Sequence, residues 1–335
     1  MFEFWGAFGL AATVIAVAGA RLSRYGHIIA EKTGMGDSLV GLVMLATVTS
    51  LPELVTGVAA VTWVDAPDIA LGDALGSCVF NLLILMVLEF FCPEASIYTR
   101  AGQSHILSAG FGVIIIGIAA LGIVVSADES LPVFGHVGLA TPALIATYVL
   151  AIQTITRHER QGGRLAANPA PRDGKPMTLR QAAAGYAMAA VFVLLAGSAL
   201  PFIAERISDS AGWNQSFIGT LFVAFATSLP EIVVVYAAVR LGSIDMAIAN
   251  LLGSNLFDAL IIAIDDIAYT KGPILAAASN VHAATAISAM IMTGAVIVAL
   301  FYRPAERPLR IVGWTGLFLL AVYAVNAYLV FVYGS

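Results

Sequence analysis

SLVGLVMLATVTSLPE, residues 38–53, and SFIGTLFVAFATSLPE, residues 216–231, decide how this chain is built. The two stretches match at 8 of 16 positions and both close on Thr-Ser-Leu-Pro-Glu. After a one-residue gap, DIALGDALGSCVFNLLI (68–84) and DMAIANLLGSNLFDALI (245–261) match at 8 of 17. Self-similarity sustained over two neighbouring segments marks a duplicated structural unit.

Composition says what kind of unit it is. The chain has 335 residues, 60% apolar and only 11% charged, with a mean hydropathy of +0.92. Globular domains carry roughly 25% charged residues, so an ordinary soluble fold is excluded. A helix that crosses a bilayer needs about 20 mostly apolar residues. Ten such blocks fit, at 3–23, 37–63, 67–90, 102–126, 134–155, 181–205, 214–240, 244–267, 277–301 and 310–332. The duplicated segments then fall on spans 2–3 and 7–8. An odd number of spans, five, separates equivalent helices, so the second copy enters the membrane upside down. The expected fold is an all-α polytopic membrane protein whose ten transmembrane helices form two inverted five-helix repeats. The repeats are 1–156 and 181–335, joined by a polar linker, 157–180. Inverted repeats with a site between them near the midplane are a secondary-transporter plan.

Charge orients this plan. Of the 16 basic residues, 14 lie in the loops after spans 1, 3, 5, 7 and 9, leaving Arg206 and Lys271 for the other face. The positive-inside rule places the 14-residue side, with linker 157–180, in the cytoplasm of a cell-membrane protein and both termini outside. The first span has no preceding positive charge, as a signal peptide would. The net charge of −5 and the lack of a basic tract give no footing for nucleic acid. Cys78 and Cys92 make no disulfide framework. No Gly-x-x-x-x-Gly-Lys loop is present, which argues against an ATP-driven pump. His27, His105, His136, His158 and His282 fall near helix ends or in loops and read as solvated side chains.

A carboxylate inside a transmembrane helix is costly and defaults to a functional role. Glu53, Glu231 and Asp258 fall deep in spans 2, 7 and 8, and Asp73 lies inside span 3. The other acids read mostly as loop or helix-end residues. Pro52 and Pro230 lack an N–H, so the carbonyls of Val48 and Ala226 lose their helical donors and each helix should kink or unwind. Irregular backbone at membrane depth is tolerated where it lines a cavity or is buried in protein. Ala46, Thr49, Ser50 and Glu53 share one helical face, and Ala224, Thr227, Ser228 and Glu231 repeat it. On spans 3 and 8, Asp73, Ser77 and Asn81 are spaced i, i+4, i+8, as are Asn250, Ser254 and Asp258. Gly76 and Gly253 precede the serines, and small residues let helices approach closely. Free carbonyls, hydroxyls and carboxylates are hard donors suited to Ca2+, Na+ or Mg2+.

These paired segments resemble the cation/Ca2+ exchanger superfamily, specifically its compact prokaryotic Na+/Ca2+ exchangers. The family pattern is G-T-S-x-P-E followed by a G-S-N-x-x-N/D helix, twice and inverted. The resemblance implies ion sites built from Ala46, Thr49, Ser50, Glu53, Ser77 and Asn81 in the first copy. In the second it implies Ala224, Thr227, Ser228, Glu231, Ser254 and Asp258. Ca2+ would be bracketed by Glu53 and Glu231 with the carbonyls of Thr49 and Thr227. Na+ sites would share those carboxylates and draw on Ser50, Ser77, Ser228, Ser254 and Asp258. It further implies that spans 1 and 6 slide across a rigid core. The chain departs from the pattern at Val48 and Ala226, where glycine is usual. Cys78 stands where Asn255 keeps an asparagine, and Asp73 where Asn250 does, so Asp73 and Asn250 are additional candidates.

Exchange follows from charge balance. Apposed carboxylates in a dry cavity repel, so an empty site attracts cations or protons. If only filled sites switch access, one ion's gradient drives the other. Asp258 is expected to carry a proton while Ca2+ is bound, since a third charge would be uncompensated. Ca2+ and Na+ are cargo, and neither a cofactor, an enzymatic activity nor an obligatory protein partner is called for; the bilayer is the partner. The alternatives are an H+/Ca2+ antiporter, exchange of another cation such as Mg2+ or K+, and, more distantly, an intramembrane aspartyl protease. For the last, Ala70-Leu71-Gly72-Asp73 breaks the expected Gly-x-Gly-Asp.

Overall fold

Apolar runs bounded by loop residues become helices, and the computed structural model is helical throughout apart from one isolated bridge, Phe134 to Val137, among the described residues. The structure describes residues 2–33, 45–92, 96–126, 132–161, 177–240, 242–304 and 312–334. In the first half these form α1 (Phe2–Thr33), α2 (Ala46–Thr49), α3 (Leu51–Ala59), α4 (Pro67–Phe91), α5 (Ser104–Val125) and α6 (Ala140–Gln161). The second half holds α7 (Leu179–Ala211), α8 (Ala224–Thr227), α9 (Leu229–Arg240), α10 (Ile244–Ala268), α11 (Val281–Tyr302) and α12 (Trp314–Tyr333).

Seven of these helices are long and apolar enough to cross a membrane, and the bent helix Gln215–Arg240 makes an eighth. The other two expected spans differ from the sequence reading. The start of span 2, residues 37–44, lies outside the described residues, and its remainder is the short helix α2 followed by the apolar stretch Leu51–Val64. Span 5 is displaced, because residues 134–137 form a turn and the helix runs from Ala140 to Gln161. Most of linker 157–180, residues 162–176, also lies outside the described residues. Spans 1 and 6 run well beyond 3–23 and 181–205, as helices of 32 and 33 residues. Polar residues after the apolar block continue the hydrogen-bonded ladder outside hydrocarbon, which hydropathy alone does not register.

The centre is α4 against α10, flanked by the broken helices α2–α3 and α8–α9. α1 packs along α7, and each also lies on the broken helix of the opposite repeat, α1 on α9 and α7 on α3. Burial grades outward: 89% of the apolar stretch in α10 and 67% of that in α4 is buried, against 28% in α1 and α12. The outer helices turn Leu195, Phe301 and Tyr328 outward, as lipid-facing surfaces require. Gly19 of α1 sits directly on the Pro230 ring, and Gly197 of α7 faces the Pro52 carbonyl. Both long helices therefore cross a proline break on a bare backbone surface.

The histidine reading is corrected at two positions. His105 and His282 are buried, at 2% and 0% exposure. His105 Nε2 is 2.8 Å from Asp245 Oδ1, and His282 Nε2 is 3.0 Å from Asp68 Oδ1. The same oxygens accept from Gly102 N and Ser279 N, each at 2.7 Å. Each aspartate opens a central helix, where a negative charge is favoured. The pairs occupy equivalent places in the two repeats, so each pins the loop before α5 or α11 to the start of α10 or α4. Replacing His282 with Ala is expected to cost about 1.5–3 kcal/mol, the worth of a hydrogen bond to a charged group. Thermal melting of the detergent-solubilised protein reads this, and an unchanged midpoint would refute the anchoring role.

Candidate cation site

At both breaks the backbone leaves the helical region at serine, with φ/ψ of −85°/13° at Ser50 and −83°/7° at Ser228. The helix restarts one residue later with proline in its first turn, where a missing N–H costs nothing. The second break bends its helix by 40°. This geometry turns Glu53 and Glu231 into the interior, 1% and 0% exposed.

Each carboxylate is held from both repeats. Glu53 Oε1 accepts from Ser77 Oγ at 3.5 Å and from Ser228 Oγ at 3.3 Å. Glu231 Oε1 accepts from Ser254 Oγ at 3.3 Å and from Ser50 Oγ at 3.4 Å. The serine after one repeat's threonine thus reaches the glutamate of the other, while the serine of the neighbouring central helix holds it from its own side. Ser228 Oγ is also 3.1 Å from Ser77 Oγ, and Thr49 Oγ1 lies 3.4 Å from Ser254 Oγ.

The central helices meet through their polar ridges. Asn81 Nδ2 donates to Asn255 Oδ1 at 3.1 Å and to Asp258 Oδ2 at 3.4 Å. Asn255, which the spacing argument did not single out, also donates to the Cys78 carbonyl at 3.1 Å. Cys78 and Asn255 therefore seal the crossing of α4 and α10, and both cysteines are buried. Asp73 is drawn in as well: Thr227 Oγ1 donates to its Oδ1 at 2.8 Å. Asn250, its counterpart, is buried with neither side-chain atom partnered among the described residues. The carbonyls of Ala46 and Ala224 already accept from Ser50 N and Ser228 N, both at 3.0 Å, and from the neighbouring threonine hydroxyls.

What is left over is almost entirely acceptor. Glu53 Oε2, Glu231 Oε2, Asp258 Oδ1, Asp73 Oδ2 and Asn81 Oδ1 are buried without a partner among the described residues. Buried polar atoms are partnered in the large majority of cases, and unpaired carboxylates at membrane depth are the most costly exception. Among the described residues no three carboxylate, imidazole or thiol groups converge at ligating distance. A cation here would complete its shell with hydroxyl, amide and carbonyl oxygens, which suits hard ions.

The same description, sodium/calcium exchanger protein, fits both halves: the family model matches residues 3–157 and 181–332. The chain belongs to the sodium/calcium exchanger family. It is 25% identical to the inner membrane protein YrbG of Escherichia coli, over 91% of this chain and 93% of that one. It is also 25% identical to the sodium/calcium exchanger MaX1 of Methanosarcina acetivorans, over 70% and 74% of the two chains. Among solved structures, the sodium-calcium exchanger NCX_Mj superimposes with a TM-score of 0.64 at 21% identity, over 98% of each chain. Native YfkE does so with a TM-score of 0.65 at 17% identity, over 97% and 92%; at these identities the likeness is one of fold. The exchanger is a multi-pass membrane transporter for Ca2+ against a second cation, not an enzyme, and the proteolytic alternative falls with that.

Sequence reasoning missed His105, His282, Glu89, Asp265 and Asp266, all buried. Extending the repeat alignment would have found the first two, since Asp68 and Asp245 stand in the same relation to His282 and His105.

Proposed function

We propose that the chain exchanges Na+ for Ca2+ by alternating access, using the oxygens gathered at the two helix breaks. The observation that carries this reading is the set of orphaned acceptor oxygens, centred on Glu53 and Glu231, at the interface of the two repeats. Two carboxylates balance one Ca2+. In the Ca2+-loaded form the free Oε2 atoms of Glu53 and Glu231, with the carbonyls of Thr49 and Thr227, hold the ion. In the Na+-loaded form the hydroxyls of Ser50, Ser77, Ser228 and Ser254, with Asn81, Asp258 and the carbonyls of Ala46 and Ala224, supply overlapping positions. Occupation by Na+ and by Ca2+ then excludes each other because the glutamates are shared.

Na+ is favoured over H+ as counter-ion by the TSLPE break in both copies and by the hydroxyl-rich surroundings of each glutamate. The names carried by MaX1 and NCX_Mj support the same choice. The basic loops support a cell-membrane orientation with 157–180 in the cytoplasm and both termini outside.

Proteoliposomes loaded with Na+ and diluted into Na+-free buffer are expected to take up radiolabelled Ca2+, while a pH jump at equal Na+ gives none. Uptake driven by the pH gradient alone would replace Na+ with H+. Uptake of Mg2+ or dependence on K+ would change the cation pair and leave the site in place.

A further inference from the structure

One buried acid is left unused by this site. Asp265, near the end of α10, is 0% exposed, and neither carboxylate oxygen has a partner among the described residues. It stands seven residues beyond Asp258 on the same face of α10, about 10.5 Å along the axis. Its oxygens lie against the Cα of Gly57, where any Cβ would overlap them. Gly57 is one helical turn beyond Glu53 on α3, so the carboxylate occupies the layer next to the central glutamate. Asp73, whose Oδ2 is unpartnered among the described residues, stands one turn before Ser77 on α4, and Ser77 donates to Glu53. α3 and α4 follow one another through the connection at Asp65 and Ala66, so Gly57 and Asp73 both lie between the central layer and that connection.

The neighbouring residue shows what a merely structural acid looks like here. Asp266 accepts from Gly138 N at 2.8 Å, Ile274 N at 2.7 Å and the Thr141 hydroxyl. Glu89, its counterpart in the first repeat, accepts from Gly313 N at 2.8 Å. Both tie loops to helix ends. Asp265 ties nothing, and the repeat supplies an internal control: its counterpart is Leu88 and that of Asp73 is Asn250. The architecture is therefore built once without these two charges and once with them. The charged layer lies on one side only, between the central glutamates and the face that carries Asp65 and Lys271, themselves paired at 2.6 Å.

We propose that Asp265 and Asp73 form a second cation station on the Lys271 side of the central site, taking a divalent alkaline-earth ion between their free oxygens. Two carboxylates, with Thr227 as their only hydroxyl donor among the described residues, balance a divalent charge. A layer one turn from Glu53 hands the ion to the centre on that side and has no equivalent on the other. The inference rests on the exchange reading, and its test separates the two.

Ca2+ binding to the purified, detergent-solubilised protein in Na+-free buffer is measured in a Glu53→Gln/Glu231→Gln background, with transport of each variant followed in parallel. The background variant is expected to lose exchange yet retain Ca2+ binding. Adding Asp265→Asn should weaken that binding about tenfold or more. Asp265→Leu, which installs the residue of the other repeat, should do the same without lowering the melting temperature. In the otherwise native protein, Asp265→Asn should raise KM for Ca2+ only from the Lys271 side. Absence of Ca2+ binding in the background variant, or binding indifferent to both Asp265 substitutions, overturns the station. Exchange surviving in the background variant overturns the central site instead, while the Asp265 comparison remains readable.

Discussion

Glu53→Gln and Glu231→Gln are each expected to abolish gradient-driven Ca2+ flux while raising the melting temperature of the ion-free protein. The two effects share one cause. Each glutamate is fully inside the protein with one oxygen held by two serine hydroxyls and the other unpartnered among the described residues. Removing one member of a buried charge arrangement costs about 3–5 kcal/mol. Applied to the Ca2+-bound state, that is roughly 100-fold or more in affinity. In the empty state the sign reverses, because glutamine keeps the shape and removes one of several mutually repelling carboxylates. A transport-dead variant that melts higher cannot be dismissed as misfolded. Flux retained in both variants would remove the central pair from the mechanism; flux lost together with a lowered melting temperature would show the glutamates to be structural.

Gly76→Val is expected to be the most damaging change to folding. A Cβ at Gly76 would overlap the Thr220 carbonyl and approach Ala224 Cβ and Thr220 Cα to 2.8 Å. One turn earlier, a Cβ at Gly72 would come within 2.9 Å of Thr220 N. Across the contact, a Cβ at Gly219 would lie 2.9 Å from the Ile69 carbonyl. α4 thus crosses the start of the second broken helix backbone to backbone, and neither side has a flexible atom to yield. Overpacking costs about 1–3 kcal/mol where side chains can shift and more where they cannot. The expected result is loss of a monodisperse peak in detergent chromatography. Gly110→Ala is the control: no described residue lies within 4 Å of its added methyl, and alanine is the better helix former by about 1 kcal/mol. A Gly76→Val protein that melts like its parent would refute the close crossing.

The breaks illustrate how far one dimension reaches. Proline four residues after an otherwise helical carbonyl must interrupt the ladder, so the kinks at Ser50 and Ser228 follow from covalent structure alone. The i, i+4 spacing of Ser77 and Asn81, or of Ser254 and Asp258, follows from helix geometry. That Ser228 would reach Glu53 and Ser50 would reach Glu231 does not, since it depends on how two helices from different repeats are rotated against each other. The histidine anchors are hidden from the sequence for the same reason. His105 stands 140 residues from Asp245 and His282 214 from Asp68, and a helix-end histidine looks solvated until the partner loop is placed over it.

By itself the sequence determined that the chain spans a membrane, that its halves are inverted copies, and that Glu53, Asp73, Glu231 and Asp258 fall inside apolar spans. Each of these follows from composition, parity of crossings or residue spacing, all properties of a line. Only the tertiary structure decided which oxygens remain unpaired, that Gly19 and Gly197 give the long helices bare contacts at the breaks, and that Asp265 lies against Gly57 with neither oxygen partnered among the described residues. Satisfaction of a buried polar atom depends on donors contributed by other helices, and no local pattern carries that information.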